Sequence, residues 1–501
     1  MYIEKSKYRG SVRVRLVKKV NYGGKWYKEL VQHIGTASHD LDVALLVEKA
    51  KTIKEELEHK DQTEIFKQNI PTSSVVRLGD YLLGAEVSLG RLFDHFNLEN
   101  TGLLKTLVIS RILWPVSKRR TATLIEKNLN CSCSEYQIYR YMDKLAATQE
   151  LILSKTRKYI VESYPSAMGY VLYDVTTLYF ETDHEDIDTD EQAGLRKKGY
   201  SKDHRHDLPQ IVLGLAVNTL GMPLAYNLYS GGTYEGHTLM DGINKTLEVI
   251  GLKNITVVAD AGMLSASNLE ALEDKNLKYI VGARLKSLNH SKQDEILALD
   301  FTICSTYELS LGERRLIVNY SDKRANKTRK DREKSVARLK QLISKNTAVR
   351  KHKYLDFTVE DTPKLNEVAI SEATKWDGIK GYITNTDLSP DNVMAHYYDL
   401  YKVEQSFRLS KHDIQIRPTF HYKRERIEAH IVICMLALTI LRMLEIEVKP
   451  LGLTIGQAID MLQDIKATEV RLGDSTYTIP PDIDNEHKKL LSVLGVEELV
   501  T

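Results

Sequence analysis

One acidic residue in the middle of a strand-like run constrains this chain more than any other feature. Tyr173-Asp174-Val175-Thr176-Thr177-Leu178-Tyr179-Phe180, within 169–181, is built of β-branched and aromatic residues and reads as a β-strand. Desolvating Asp174 inside such a strand is costly, so its carboxylate needs a hydroxyl such as that of Thr176, a cation or a metal ion. On the strand alone, an Asp held by neighbouring hydroxyls and a functional carboxylate are both open readings.

The residues that follow build around that strand. Asp207 to Asn218 reads as a second strand, a turn falls at Asn218-Thr219-Leu220-Gly221, and Met222 to Tyr229 is a third. The three make an antiparallel meander whose first member carries Asp174. After a helix from Gly236 to Ile250, the apolar strand Ile255 to Asp260 ends in a second carboxylate. Ser265 then caps a helix from Ala266 to Leu272, and Lys278 to Ala283 adds a strand. An acid at the C-terminal end of a buried strand is where α/β sites tend to gather their reactive groups, although an Asp that merely ends a strand is common.

From Leu285 to Lys375 the rhythm changes to short strands (Phe301 to Cys304, Arg315 to Tyr320, Tyr354 to Val359) around a basic helix, Lys323 to Lys345. Its cations, Lys330 and Arg332 among them, face only Asp331 and Glu333, which favours a polyanionic partner over a solvated face. Trp376-Asp377-Gly378 closes the segment and Gly381 to Thr384 is a last strand. Ser389 caps a helix running to about Lys411, with Tyr397, Glu404 and Lys411 at seven-residue intervals on one face.

Upstream, Val12 to Val20 and Trp26 to Ile34 predict a hairpin with one cationic face, followed by a helix from Asp40 to Leu57. The pattern from Leu78 to Ser163 is helical. Within it, Ser117-Lys118-Arg119-Arg120-Thr121 and Ser134 to Tyr141 resemble the short helices of a helix-turn-helix module, with Gln137, Tyr139 and Arg140 exposed to a DNA groove. A net charge of +2 says little, because clustering decides whether a polyanion binds. Cys131, Cys133, Cys304 and Cys434 are too scattered for a disulfide framework or a zinc site. The N-terminus lacks an apolar signal core, and the longest apolar run, Ile431 to Leu441, is a buried core helix rather than a span, so a cytoplasmic protein with no membrane partner is expected. His204 and His206 lack a second pair of metal ligands. No phosphate-cradling glycine loop or nucleophile elbow is present.

Three carboxylates remain: Asp174 in mid-strand, Asp260 at a strand end and Glu404 on a helix after an insertion. Together with Gly199-Tyr200-Ser201-Lys202-Asp203, Asp207 to Leu215 and Val258-Ala259-Asp260-Ala261-Gly262, these stretches resemble the DDE transposases of prokaryotic insertion sequences, over about Gly169 to Met443. The resemblance implies an α/β fold: an RNase H-like, retroviral integrase-type mixed sheet flanked by helices, interrupted by a β-rich insertion, with a helical N-terminal DNA-binding region. Domains are expected at 1–75 (hairpin and helix), 76–165 (helical), 166–284 and 379–450 (catalytic), 285–378 (insertion) and 451–501 (tail).

The resemblance also implies metal-dependent cleavage of DNA at element ends and strand transfer into target DNA, on two Mg²⁺ or Mn²⁺ ions held by Asp174, Asp260 and Glu404. Asp174 is expected to bridge both ions. Tyr397, Lys411, Arg408, Lys330, Arg332, Arg119, Arg120 and Arg140 are expected to contact double-stranded DNA at terminal inverted repeats and target, and Trp376 to stack on an extruded base. Tyr397, Glu404 and Lys411 match a Tyr, Arg, Glu and Lys signature whose Arg position is Leu400 here, so a grip on the DNA end by that Arg, and a hairpin intermediate, are not carried over. Joining two ends implies a homodimer on DNA, in a prokaryotic cytoplasm and on its nucleoid. Oxygen-only ligands agree with Mg²⁺ or Mn²⁺, and converging carboxylates need such cations among them. A nuclease on the same fold that does not join DNA, and a non-catalytic DNA-binding regulator, are the competing readings; a glycosidase pair leaves the basic insertion without purpose.

Overall fold

A computed structural model of the chain describes all residues except 9–10, 23–24, 66–74, 100, 130, 190–192, 202–204, 251–254, 264, 346–350, 358–362, 497–498 and 500–501. His204 and the expected Gly23-Gly24 turn lie outside the described residues. Two compact units are present: 1–79 with 468–479, and 80–467 with 480–501.

In the first unit Tyr2–Tyr8 (β1), Ser11–Tyr22 (β2) and Lys25–Ala37 (β3) form an antiparallel meander followed by Asp40–Ile65 (α1). The expected hairpin thus gains a third strand. Val14 and Leu16 are buried, while Arg15 pairs with Glu4 and Lys18 with Glu29. Cross-strand pairing therefore neutralises part of the expected cationic face. Val75–Tyr81 (β4) joins a three-stranded sheet with two strands near the C-terminus.

The second unit opens with Leu83–Asp94 (α2), Gly102–Leu113 (α3), Lys118–Asn128 (α4) and Glu135–Ser163 (α5), the last begun by a Ser134–Gln137 capping box. Tyr170–Tyr179 (β5), Gln210–Val217 (β6) and Pro223–Ser230 (β7) form the anticipated meander. Thr238–Ile250 (α6) leads to Thr256–Ala259 (β8), parallel to β5, and Ala266–Asp274 (α7) leads to Lys278–Ala283 (β9), parallel to β8.

The next segment differs from the expected β-rich insertion. It holds His290–Leu297 (α8), Thr306–Leu311 (β10), Arg314–Tyr320 (β11), Asp322–Ser344 (α9), Leu355–Phe357 (β12), Pro363–Leu365 (β13) and Glu367–Lys375 (α10). Ile379–Thr384 (β14) pairs with both β9 and β11. The main sheet is therefore mixed and eight-stranded, in the order β10-β11-β14-β9-β8-β5-β6-β7. Strands β10 and β11 extend that sheet, and Phe301 to Cys304, expected as a strand, is a turn. The long basic run is helical because it is rich in Lys and Arg, both good helix formers, and has no Gly or Pro. Its Leu339 packs on Tyr354 and Leu355 in a small core of its own.

The helix expected over 391–411 is broken. Pro390–Tyr398 (α11) and Tyr401–Arg408 (α12) are separated at Asp399 and Leu400, and a single π turn, Leu409–Asp413, follows. Asp399 sits at the break and pairs with Lys402 at 2.9 Å, placing a carboxylate at the start of α12, where the helix dipole favours it. Arg424–Val448 (α13) buries the apolar run Ile431 to Leu441. Among the described residues, no helix is long and apolar enough to cross a membrane. Ile455–Asp464 (α14), Ala467–Leu472 (β15), Ser475–Ile479 (β16) and Asn485–Val493 (α15) complete the chain, so the tail without chemical signal is structured, with Leu462 and Leu490 in the large core.

Where α13 packs against α3, the core holds a cationic cluster. Arg111 donates to the carbonyls of Val116 and Gln415, and Lys118, His421 and His430 are buried beside it with Cys434. The charged groups acting on these side chains are Arg111, Lys118 and Arg426, with no carboxylate among the principal ones. Burial first, then the neighbouring cations, pushes Lys118 down to about 7 and His421 down to about 3, and holds His430 well below its ordinary range. Both imidazoles are neutral in the fold but take up protons when unfolded below about pH 6.5. The unfolded chain then binds more protons, so stability falls as pH drops from 6.5 towards 3, by up to about 1.4 kcal/mol per pH unit for each histidine. Urea midpoints measured from pH 8 to 4.5 should decline below pH 6.5, with a shallower decline for His421→Gln; equal slopes in both proteins would contradict the neutral buried imidazole.

Candidate active site

Strand register brings the first two acids together. Tyr173 of β5 lies opposite Ala259 at the end of β8, so Asp260, one residue on, comes alongside Asp174. Neighbouring strands run roughly 4.8 Å apart, which places two like charges in mutual repulsion. Asp174 is half-buried and its Oδ1 accepts the Val175 N–H at 2.8 Å, while Asp260 is exposed.

The third acid arrives on α12. Ser406, two residues after Glu404 and on the opposite face of the helix, is fully buried. Its hydroxyl donates to Gly221 O at 2.8 Å and accepts from Arg442 Nη2 at 2.8 Å. This pins α12 to the turn between β6 and β7 and leaves Glu404 facing outward.

Tyr397 on α11 reaches back into the site. Its hydroxyl donates to Asp260 Oδ1 at 2.8 Å, and a Cβ at Gly282 would lie 2.5 Å from the phenol oxygen of Tyr397, so the glycine on β9 makes room for the tyrosine. Burial first, then the negative Asp260, pushes the Tyr397 phenol far above its usual range, so it remains a proton donor. Lys380 on β14 lies 4.3 Å from the centroid of the Tyr397 ring. Desolvation and then Arg324 push its ammonium down, whereas Asp260 and Glu404 pull it up.

Asp174, Asp260, Glu404, Lys380 and Tyr397 line one cavity of about 360 Å³, together with Tyr398, Tyr401 and Leu400. Sequence reasoning missed Lys380 and Tyr398. The signal for Lys380 was present, since a lysine inside the apolar strand Ile379–Thr384 is as anomalous as Asp174 in β5. Carboxylate oxygens on an open cavity suit a hard divalent cation. As placed, however, no three His, Cys, Asp or Glu side chains among the described residues stand close enough to hold a metal ion. Asp260 and Glu404 are both exposed at the cavity, where an ion entering from solvent would reach them.

The expected DNA contacts divide. Arg119, Arg120, Arg140, Lys330 and Arg408 are exposed on their helices. Arg332 is not: it is buried and grips Asp377 with two hydrogen bonds of 2.6 Å, so it fastens α9 to the turn before β14 instead of meeting phosphates. Its sequence neighbours Lys323, Lys327, Arg329, Lys330, Lys334 and Arg338 do face solvent. Trp376 is half-buried at the end of α10, with the Lys286 ammonium 5.9 Å from its ring. Lys411 lies in the π turn and is not among the cavity's lining residues, because the break at Asp399 and the π turn undo the common face with Tyr397 and Glu404. Tyr139 is packed against His421 and Arg426 instead of presenting itself to a groove, and its helix continues far beyond a recognition helix's length.

A family model described as "Transposase DDE domain" matches residues 170–440. No curated protein is matched. Similar solved structures include a piggyBac transposase synaptic complex with hairpin DNA, 9% identical over 74% of this chain and 78% of that one, with a TM-score of 0.38. A Mos1 transposase paired-end complex with left transposon end is 12% identical over 33% of this chain and 53% of that one, with a TM-score of 0.16. A Mos1 mariner paired-end complex with Mn gives the same identity and TM-score over 54% of its chain. The match thus spans about half the length of the Mos1 chains.

Replacing Arg332 with Ala leaves the half-buried Asp377 without its two charged hydrogen bonds, which should cost about 1–3 kcal/mol. Lys at this position should restore little, because it lacks the two-pronged geometry. Denaturant unfolding of both variants checks this; wild-type stability in Arg332→Ala would return the residue to the surface-contact class.

Proposed function

The chain belongs to the transposase DDE-domain family, and from that premise we propose that it cuts DNA at the ends of an insertion sequence and joins those ends to target DNA. Asp174, Asp260 and Glu404 are the catalytic acids in this reading. The observation that carries it is that these three carboxylates, from β5, the end of β8 and α12, line one cavity. The antiparallel meander led by the Asp174 strand, with two parallel strands beside it, supports reading this part as an RNase H-like catalytic domain.

The three acids would hold the divalent ions, two Mg²⁺ or Mn²⁺, that this reading calls for. When bound, such ions supply Lewis-acid chemistry, making an attacking hydroxyl more acidic and offsetting the charge that develops at the scissile phosphate. The chain's own groups do the rest. Tyr397 fixes the orientation of Asp260 and stays protonated while doing so. Lys380 moderates the repulsion among the acids in the empty cavity and offers a cation to an entering phosphate. Tyr398 is held by Arg324 of α9, whose Nη2 donates to its hydroxyl at 3.2 Å, linking the cavity to the exposed cations of that helix. These cations, with Arg119, Arg120, Arg140 and Arg408, follow the DNA backbone. Two chains assemble on a pair of DNA ends.

Cleavage of a labelled duplex carrying the terminal repeat, with Mg²⁺ or with EDTA, tests the reading. Wild type should cut at the repeat end only with metal, and joined products should appear with target DNA. Asp174→Ala and Glu404→Gln should bind the duplex normally and lose cutting by about a thousandfold or more. Cutting without joining would favour a nuclease, and binding without cutting under any metal would leave a DNA-binding regulator. Tyr397→Phe should bind DNA normally and cut about tenfold more slowly, since it loses one hydrogen bond to a charged group.

A further inference from the structure

The segment between the π turn and α13 has a pattern that the catalytic cavity does not use. Thr419 and His421 are 2% and 7% exposed, while Phe420 and Tyr422 between and after them are 58% and 65% exposed. This in-and-out alternation is that of an extended chain, and here the large rings are on the outside. Two adjacent aromatic side chains held towards water call for a partner.

The segment is fixed in place from below. Thr419 N donates to Tyr179 O, and Thr419 bridges to Phe180, immediately beyond the end of β5. The Arg196 guanidinium lies between two rings, 5.3 Å from the centroid of Tyr422 and 5.8 Å from that of Phe180, and Asp186 holds its Nε at 2.8 Å. One face of Tyr422 is therefore backed by a buried, oriented cation, and the ring remains largely open to solvent. Next to it the Tyr179 ring lies 5.6 Å from the Arg417 guanidinium and 5.3 Å from that of Arg205. Guanidinium groups and aromatic rings thus alternate along this edge, each pair held by cation–π attraction.

The charge around the rings selects among partners. Asp186 and Asp207 are each bound to an arginine of the array, and Glu181 is the further carboxylate near Arg205. Against these stand Arg417, Lys423 and, behind the inward-facing His421, the buried Arg111. Positive charge held in a low-dielectric interior projects to the surface above it. An apolar protein partner gains little from such surroundings, whereas a polyanion with flat π faces suits both features. Bases stacked inside a duplex do not present their faces, so the fitting ligand is an unpaired stretch of nucleic acid.

We infer that Phe420 and Tyr422, backed by Arg196, form a second nucleic-acid site that stacks unpaired bases of a DNA strand, outside the three-carboxylate cavity. The inference rests on the reading that the chain handles DNA ends, because cleavage exposes unpaired nucleotides there. Along β5, Phe180 is six residues from Asp174, roughly 20 Å at the rise of a strand, so a tail leaving the cavity needs only a few nucleotides to reach the rings.

The full chain should be tested against three fluorescein-labelled probes of equal charge: a blunt duplex, a duplex with an unpaired tail, and a single strand. A 2-aminopurine base in the tail reports stacking. The double variant Phe420→Ala with Tyr422→Ala should bind the tailed duplex and the single strand at least tenfold more weakly and lose the 2-aminopurine quenching, with blunt-duplex affinity unchanged. Tyr422→Trp should retain both affinity and quenching, and Tyr422→Leu, which keeps the bulk but not the π face, should not. Equal losses on all three probes, or no loss on any, would overturn the inference, as would a change in oligomeric state of the double variant at unchanged tail affinity. If wild type binds the blunt duplex and ignores the tail, the stacking site alone fails; if it binds no probe, the transposase reading fails with it.

Discussion

Parallel pairing of β5 with β8 sets the problem that the rest of the site answers. It brings Asp174 and Asp260 side by side, and two carboxylates at that spacing repel unless something positive or proton-donating stands near them. The fold supplies a protonated phenol on Asp260, from Tyr397, and an ammonium, from Lys380. Both come from elements beyond the insertion, so the chain must complete the sheet with β14 and lay down α11 before the paired acids are relieved. A sheet that shared only β5 to β9 would leave them unbalanced.

The same dependence governs Glu404. Its helix is short and interrupted on both sides, by the break at Asp399 and by the π turn from Leu409, and has little intrinsic stability. Its position comes from a buried face, Val403, Phe407 and a serine held between the Gly221 carbonyl and Arg442 of α13. The acid therefore depends on packing between the meander and the long core helix. The exposed cations of α9 are likewise positioned by contacts on its inner side, the Arg332–Asp377 pair and the Leu339 core among them, so that one arginine is structural while its neighbours face solvent.

Much of this was legible in the sequence. A carboxylate inside an apolar strand, the tight turn at Gly221, the Asp at the end of a short apolar strand and the Ser389 cap all follow from local chemistry, and the structure has each where the pattern put it. The misses share a cause, which is that they depend on partners distant in the chain. Whether β10 and β11 form their own layer or lengthen the main sheet depends on β14 finding β9. Helical spacing suggested one face for Tyr397, Glu404 and Lys411, but the pull of Asp260 on Tyr397 belongs to tertiary structure. Arg332 differs from Lys330 only in having Asp377 opposite it, a contact that spans a whole segment. Lys380 could have been found, because a charged residue in a buried strand is costly wherever it occurs.

The claim on which the account turns is that the three carboxylates act as one metal-binding set. Titration of Mn²⁺ into the full-length protein with a DNA end, followed by the loss of the free-ion electron paramagnetic resonance signal, measures this without relying on catalysis. The account predicts uptake of two ions per chain by wild type and the loss of that uptake in Asp174→Asn. Equal uptake by both proteins, or none by wild type at millimolar Mn²⁺, would contradict it.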